Sequence, residues 1–237
     1  MIDTIICGDC LEVMPTIPDN SIDMVLADLP YGVTHCRWDT RLPLEDIWSQ
    51  WLRLCNGAII LTATQPFASN LVMSKPDLFS HDLIFQKQTP VGFLNANRMP
   101  LRSHEHILIF GKVKTYNPQF TEGERNHLRG ITPQRYKPSV YGSHDKERSP
   151  LTNKKYPKSV IKFKRPQYPL LHQTQKPTEL FEYLIRTYTN EGDTVLDPTC
   201  GSGTTAVACR KTNRHYICIE KEPEYCAIAE RRVKEML

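Results

Sequence analysis

Four acids in this 237-residue chain each stand where a short apolar or β-branched run ends, so each belongs at a strand's carboxyl end. Asp28 closes the run 22–27 and is followed by Leu29, Pro30, Tyr31 and Gly32. A carboxylate, an aromatic ring and a proline-stiffened backbone therefore leave one strand tip together. Asp197 closes 194–196 and opens Pro198, Thr199, Cys200, Gly201, Ser202, Gly203, Thr204 and Thr205. Glycines there let the backbone approach a ligand closely, and the unpaired N–H groups opening the next helix face whatever binds. Asp9, with Cys10 beside it, ends the run 4–7, and Glu220 ends 215–219. The pattern is that of a nucleotide-type pocket. Gly201 to Ala206 fits the dinucleotide pattern G-x-G-x-x-A, with Glu220 where a ribose-binding acid belongs. Against a dinucleotide, the strand stops at Asp197 with three residues before the glycines, and an acid there suits a cationic or amine-bearing ligand better than a pyrophosphate.

The elements that must position these acids alternate. Strands are expected at 4–7, 22–27, 57–62, 82–86, 106–110, 194–197 and 215–219, and helices near 11–14, 44–54, 66–73, 178–188 and 222–234, with helix-compatible residues over 204–211. Pro177 near the start of 178–188 is where a helix tolerates proline. Trp48 and Trp51 share the apolar face of 44–54 and read as core. The stretch 87–105 reads as a polar loop, and His104-Glu105 within it as a solvated turn. Such alternation argues an α/β fold, a doubly wound, mostly parallel sheet covered on both faces. Open sheets of this kind place ligands at strand tips.

Composition narrows the class. The length suits one α/β domain with a modest insertion, and no run approaches the about 18 to 20 apolar residues of a membrane span. Met1 is not followed by a basic-then-apolar leader, so a soluble cytoplasmic protein is expected. Eight scattered cysteines fit a reducing compartment better than a disulfide framework, and the lone Cys7-Gly8-Asp9-Cys10 lacks the second pair a zinc site needs; no metal is expected. The net charge of +4 hides a split: residues 112–170 carry fourteen Lys and Arg against four Asp and Glu, a net of +10, leaving −6 elsewhere. Half of the tyrosines (Tyr116, Tyr136, Tyr141, Tyr156, Tyr168) lie in this segment. Cations interleaved with aromatics suit phosphate and base contacts, or a solvated insertion that orders on binding.

Taken in order, these motifs resemble those of the amino-group DNA methyltransferases, in the permuted group whose catalytic tetrapeptide precedes the cofactor loop. Asp28-Leu29-Pro30-Tyr31 is similar to that family's D-P-P-Y, and the run from Asp197 to Thr205 to its D-P-F-x-G-S-G-T-T. Gln175-Lys176-Pro177 and Gly8-Asp9 complete the likeness, which covers nearly the whole chain. The resemblance implies a class I S-adenosylmethionine-dependent methyltransferase fold, with residues 1–111 as its catalytic part, 112–170 as the target-recognition segment and 171–237 as the cofactor-binding part. It implies methyl transfer from S-adenosylmethionine to the N6 amine of adenine in double-stranded DNA, by base flipping and direct in-line attack. Asp28 and the Leu29 carbonyl would accept from the amine, Tyr31 would stack on the base and Pro30 would stiffen the turn. The resemblance also assigns the cofactor's surroundings. Gly201, Ser202 and Gly203, with Thr204 and Thr205, would approach its methionine end, and Lys176 and Pro177 would lie beside that end. Glu220 would take the ribose hydroxyls, Asp9 with Cys10 the adenine amine, and Asp197 the positive charge. Two departures stand out: Leu29 replaces a proline, and Thr199 replaces an aromatic residue that often touches the cofactor. An acid at position 28 favours adenine, whereas the family's cytosine-N4 enzymes more often carry Ser. N4-cytosine methylation and an inert DNA binder on the same fold are the alternatives. The group is often dimeric, and a separately encoded restriction endonuclease is an open partner.

Overall fold

The computed structural model describes residues 2–32, 42–124, 152–164 and 175–235. Two units are distinguished: Met1–Asn117 with Lys158–Leu237, and Pro118–Pro157. The strands are β1 (Thr4–Cys7), β2 (Ile22–Ala27), β3 (Cys55–Ala63), β4 (Phe79–Val91), β5 (Arg102–Gly111), β6 (Thr121–Glu122), β7 (Lys154–Lys155), β8 (Val160–Lys162), β9 (Thr194–Asp197) and β10 (His215–Glu220). The helices are α1 (Cys10–Val13), α2 (Leu44–Leu54), α3 (Phe67–Ser74), α4 (Thr178–Tyr188), α5 (Thr204–Lys211) and α6 (Pro223–Lys234).

The larger unit is built on one sheet in the order β1-β10-β9-β2-β3-β5-β4-β8, parallel throughout except for β5, which runs against both neighbours. Alternation along the central strands explains their unbroken apolar sequences. In β2, Ile22, Val25 and Ala27 enter one core cluster while Met24 and Leu26 enter the other. A strand buried on both faces has no polar side to show. Trp48 and Trp51 of α2 and Phe67 and Leu71 of α3 fill the first cluster. Leu180, Phe181, Leu184 and Ile185 of α4, with Ala206 to Cys209 of α5 and Val233 of α6, fill the second. Both tryptophans are core, as their spacing indicates; Trp48 also donates to Ser74 Oγ at 2.8 Å.

The crevice arises from the connections. After β9 the chain passes through α5 to β10 on one side, and after β2 through α2 to β3 on the other, although β9 and β2 are neighbours. Their carboxyl ends part there, which is the switch point at which such sheets bind ligands.

Two expectations need correction. The stretch 87–105 is strand at both ends rather than loop throughout, because β4 continues to Val91 and β5 begins at Arg102. Beyond the Gln86–His104 pair the register shifts and these arms pair only with each other, at Val91–Arg102, so neither arm needs the apolar alternation that marks a buried strand. Glu105 is no solvated turn residue: it is buried within β5, opposite Phe85. Within 112–170, Val160–Lys162 forms the edge strand beside β4, too short to carry a periodicity. In the smaller unit β6 pairs antiparallel with β7, the Phe120 and Tyr156 rings lie 4.9 Å apart, and Lys154 Nζ sits 5.9 Å from the Phe120 centroid. Tyr136, Tyr141 and Tyr168 lie outside the described residues. No described helix is long and apolar enough to cross a membrane.

Candidate active site

The tip of β2 is held by a set of donors. Asp28 Oδ1 accepts from the Tyr31 hydroxyl at 2.8 Å and from the Thr62 hydroxyl at the end of β3. Its Oδ2 accepts from Lys176 Nζ at 2.5 Å. Lys176 Nζ also lies 3.5 Å from Glu105 Oε2 and 5.9 Å from the Tyr31 ring centroid, and Glu105 Oε1 takes an ion pair from Lys87 at 2.5 Å. Two lysines and two carboxylates thus alternate through the wall, balanced in charge. Burial alone would push the Lys176 ammonium down, but Asp28 and Glu105 beside it hold it well above the usual lysine range. Burial and the neighbouring Asp28 push the Tyr31 phenol up, so its proton stays to be donated. The Tyr31 ring packs 5.4 Å from that of Phe67. Leu29, at the position where the family's motif carries proline, is buried in the core.

One strand away, the tip of β9 carries the glycine loop. Val25 pairs with Leu196, which sets Asp28 beside Thr199, and Thr199 Oγ1 donates to the Asp28 carbonyl at 3.4 Å. Asp197 is buried and accepts from the Thr199 N–H at 3.1 Å and from the Thr205 hydroxyl. Burial pushes its carboxyl up to about 7. Gly203 precedes α5 with φ of 77°, and a Cβ there would meet Ala229 Cβ of α6 at 2.7 Å, so only glycine fits. Arg232 Nη1 of α6 donates to Ser202 O at 2.6 Å and Ser202 Oγ at 3.1 Å, and reaches Thr204 Oγ1 at 3.4 Å. The side chains of Ser202, Thr204 and Thr205 thus brace the loop from inside, leaving backbone to line the crevice.

Beyond β9, the tips of β10 and β1 continue the row. Glu220 Oε2 accepts from the Gly201 N–H and Oε1 from the Glu222 N–H, both at 2.8 Å. With the Lys221 N–H also directed at this carboxylate, three backbone donors fix its orientation. Gly8 N–H donates to the Glu220 carbonyl at 2.9 Å, which seats Asp9 and Cys10 next to Glu220. Asp9 caps α1 through Leu11 N–H at 2.9 Å, and Lys221 Nζ lies 3.6 Å from its Oδ2. Burial, then the Asp9 charge, pushes the Cys10 thiol up to about 11, so it is no nucleophile. Pro177 stands at the N-cap of α4 and directs Lys176 to the β2 tip. Apart from Lys176 and Pro177, which precede α4, the sites read from the sequence fall at or just beyond one row of strand tips. Among the described residues no group of three or more His, Cys, Asp or Glu could hold a metal.

Thr62, Lys87 and Arg232 escaped the sequence reading, and Glu105 read as a solvated turn residue. For three of these four a signal was present. Counting by twos, Thr62 continues Ala58 and Ile60, Lys87 continues Phe85, and Glu105 precedes Ile107 and Ile109, all on the face that α4 covers. Arg232 had no signal, as one of several cations in a surface helix.

This sheet, with one reversed strand and acids at the tips of β1, β10, β9 and β2, defines a class I S-adenosylmethionine-dependent methyltransferase fold. The crystal structure of an M1.HpyAVI–SAM complex has a TM-score of 0.65 at 24% identity, over 97% of this chain and 98% of that one. PvuII DNA methyltransferase, described as cytosine-N4-specific, has a TM-score of 0.66 at 17% identity, over 97% and 85%. The chain belongs to the N6/N4 DNA methylase family, which matches residues 22–231. It is 27% identical over 263 residues to the type II methyltransferase M.HinfI of Haemophilus influenzae, covering 99% of this chain and 69% of that protein. It is also 28% identical over 244 residues to M.HpaI of Haemophilus parainfluenzae, covering 97% and 73%.

Proposed function

We propose that this DNA methyltransferase moves a methyl group from S-adenosylmethionine to the N6 amine of adenine in double-stranded DNA, at a base flipped into the crevice. The observation that carries this reading is the Asp28 carboxylate at the β2 tip, one strand from the glycine loop. The residues present fit the cofactor. Asp197 is a buried carboxylate without a cationic partner among the described residues, Glu220 is a carboxylate oriented by backbone N–H groups at the next strand tip, and Gly203 lets the loop lie against α6. When bound, the cofactor supplies an electrophilic methyl on a positively charged sulfur.

The chain's own residues do the rest. An exocyclic amine is a poor nucleophile because its lone pair is delocalised into the ring. Asp28 and the Leu29 carbonyl accept its two N–H groups and favour a tetrahedral nitrogen. Positive charge develops on that nitrogen as the N–C bond forms, and the Asp28 carboxylate stabilises it and stands ready for the proton that leaves. Lys176 must yield Oδ2 as the amine arrives. Glu105 Oε2, buried and without a hydrogen-bond partner, is 3.5 Å away to receive it. Thr199, which stands in for an aromatic residue, ties the two tips together through Asp197 and the Asp28 carbonyl. Residues 112–170, net +10, would supply phosphate contacts and target recognition. Asp28 rather than Ser favours adenine over cytosine as the target.

The test is Asp28→Ala. Transfer of labelled methyl to unmethylated duplex DNA should fall below detection, while calorimetry shows cofactor binding nearly intact. Wild-type turnover in this variant would remove Asp28 from the chemistry.

A further inference from the structure

The described residues expose twelve large apolar side chains, and five of them, Val91, Phe93, Leu94, Met99 and Leu101, lie from the last residue of β4 to the start of β5. Leu94 is 85% exposed and Phe93 77%. This tip is built rather than frayed. Gly92 turns the chain with φ of 93°, Asn95 N–H donates to the Gly92 carbonyl at 3.0 Å, Ala96 N–H to that of Phe93 at 3.0 Å, and Arg98 N–H to that of Asn95 at 2.8 Å. An ordered turn presenting two bare apolar side chains is an interaction surface.

Charge and direction select the partner. Residues 86–104 carry Lys87, Arg98 and Arg102 and no acid. Arg98 and Arg102 are exposed, and neither has an acidic partner among the described residues. β4 runs parallel to β2 and β3, since β5 opposes both β3 and β4, so the tip projects from the edge of the sheet that carries Asp28. The base of the hairpin is joined to that site, because Lys87 and Glu105 hold Lys176 against Asp28. Val91 lies six positions beyond Phe85, a reach of roughly 20 Å at strand rise. Apolar tips flanked by arginines suit a stacked, polyanionic duplex, in which such side chains enter between bases.

We propose that Phe93 and Leu94 form a wedge that enters the DNA stack and helps drive the target base towards Asp28, with Arg98 and Arg102 on the flanking phosphates. The inference rests on the DNA-modifying, base-flipping reading above and adds the element that opens the duplex. Its consequence is specific: the wedge matters only while the target base is paired.

The test compares wild type with the Phe93→Ser/Leu94→Ser double variant, whose exposed positions contribute nothing to the core. The target site is first mapped by sequencing DNA methylated by the wild type. Transfer rates are then measured on a matched duplex and on one carrying a mismatch opposite the target base, where opening costs least. The variant should lose about tenfold or more on the matched duplex and recover most of that loss on the mismatched one, with unchanged cofactor affinity. Equal rates for variant and wild type on the matched duplex, or equal losses on both duplexes, would overturn the wedge. So would a shift from dimer to monomer in sedimentation with rates unchanged, which would assign the tip to a second copy of the chain. Failure of the wild type itself to methylate any DNA would instead refute the functional reading.

Discussion

Asp197 yields a quantitative prediction about cofactor binding. The residue is 2% exposed, and burial pushes its carboxyl from an ordinary 3.8 up to about 7, despite hydrogen bonds from Thr199 and Thr205 that favour the charged form. If the ionised carboxylate is the counter-charge of a cationic cofactor, affinity is lost as Asp197 takes its proton. The apparent Kd should then rise about 11-fold at pH 6 and about 30-fold at pH 5.5 relative to pH 8.5. Stability has the opposite dependence. The folded carboxyl is raised above its unfolded value, so the free protein binds an extra proton between about pH 4 and 7; stability falls as pH rises through that window and stays lower above it. The cost at pH 8 is on the order of 4 kcal/mol. Asp197→Asn removes it, so the variant should be more stable than wild type at pH 8 in denaturant unfolding. That gap should shrink towards pH 4. In calorimetry the same variant should bind cofactor weakly and without the pH dependence. Glu220, also pushed up by burial, titrates in both proteins, and the difference between them isolates Asp197. A wild-type affinity that is flat between pH 8 and 6, or an Asn variant no more stable at pH 8, would refute the reasoning.

Two further variants probe other parts of the molecule. Glu105→Gln leaves Lys87 and Lys176 facing one carboxylate in a buried wall, and should cost roughly 3–5 kcal/mol of stability in urea unfolding. Because Lys176 then has no second partner, single-turnover transfer should slow while cofactor Kd holds; an unaltered rate would mean that Lys176 need not move. In the basic segment, Lys154→Gln with Lys155→Gln should flatten the slope of log K for DNA against log salt by about 2. An unchanged slope would remove both lysines from the interface.

How legible the site was depended on where each residue sits relative to a strand. Asp9, Asp28, Asp197 and Glu220 stand where apolar runs stop, and a strand tip in a parallel sheet is visible as that stop. Gly203 showed because a turn into a helix against Ala229 admits no side chain. Glu105 and Lys87 were hidden by the outer arms of β4 and β5, whose polar residues read as a loop; the period of two was only visible by extending it from Ile107 and Phe85. The reversal of β5 could not be read, since orientation depends on which strands pair and not on their composition. Lys176 was noticed for its motif, but its partner lies 148 residues earlier in the chain. A contact of that span follows only once α4 is placed against the sheet.

The most direct measurement of the central claim is chemical. The purified protein is incubated with methylation-free double-stranded DNA and S-adenosylmethionine, the DNA is digested to nucleosides, and the products are identified by mass spectrometry. The account predicts N6-methyldeoxyadenosine. N4-methyldeoxycytidine would contradict the assignment of adenine from Asp28, and no methylated nucleoside from folded, cofactor-bound protein would contradict the proposed reaction on double-stranded DNA.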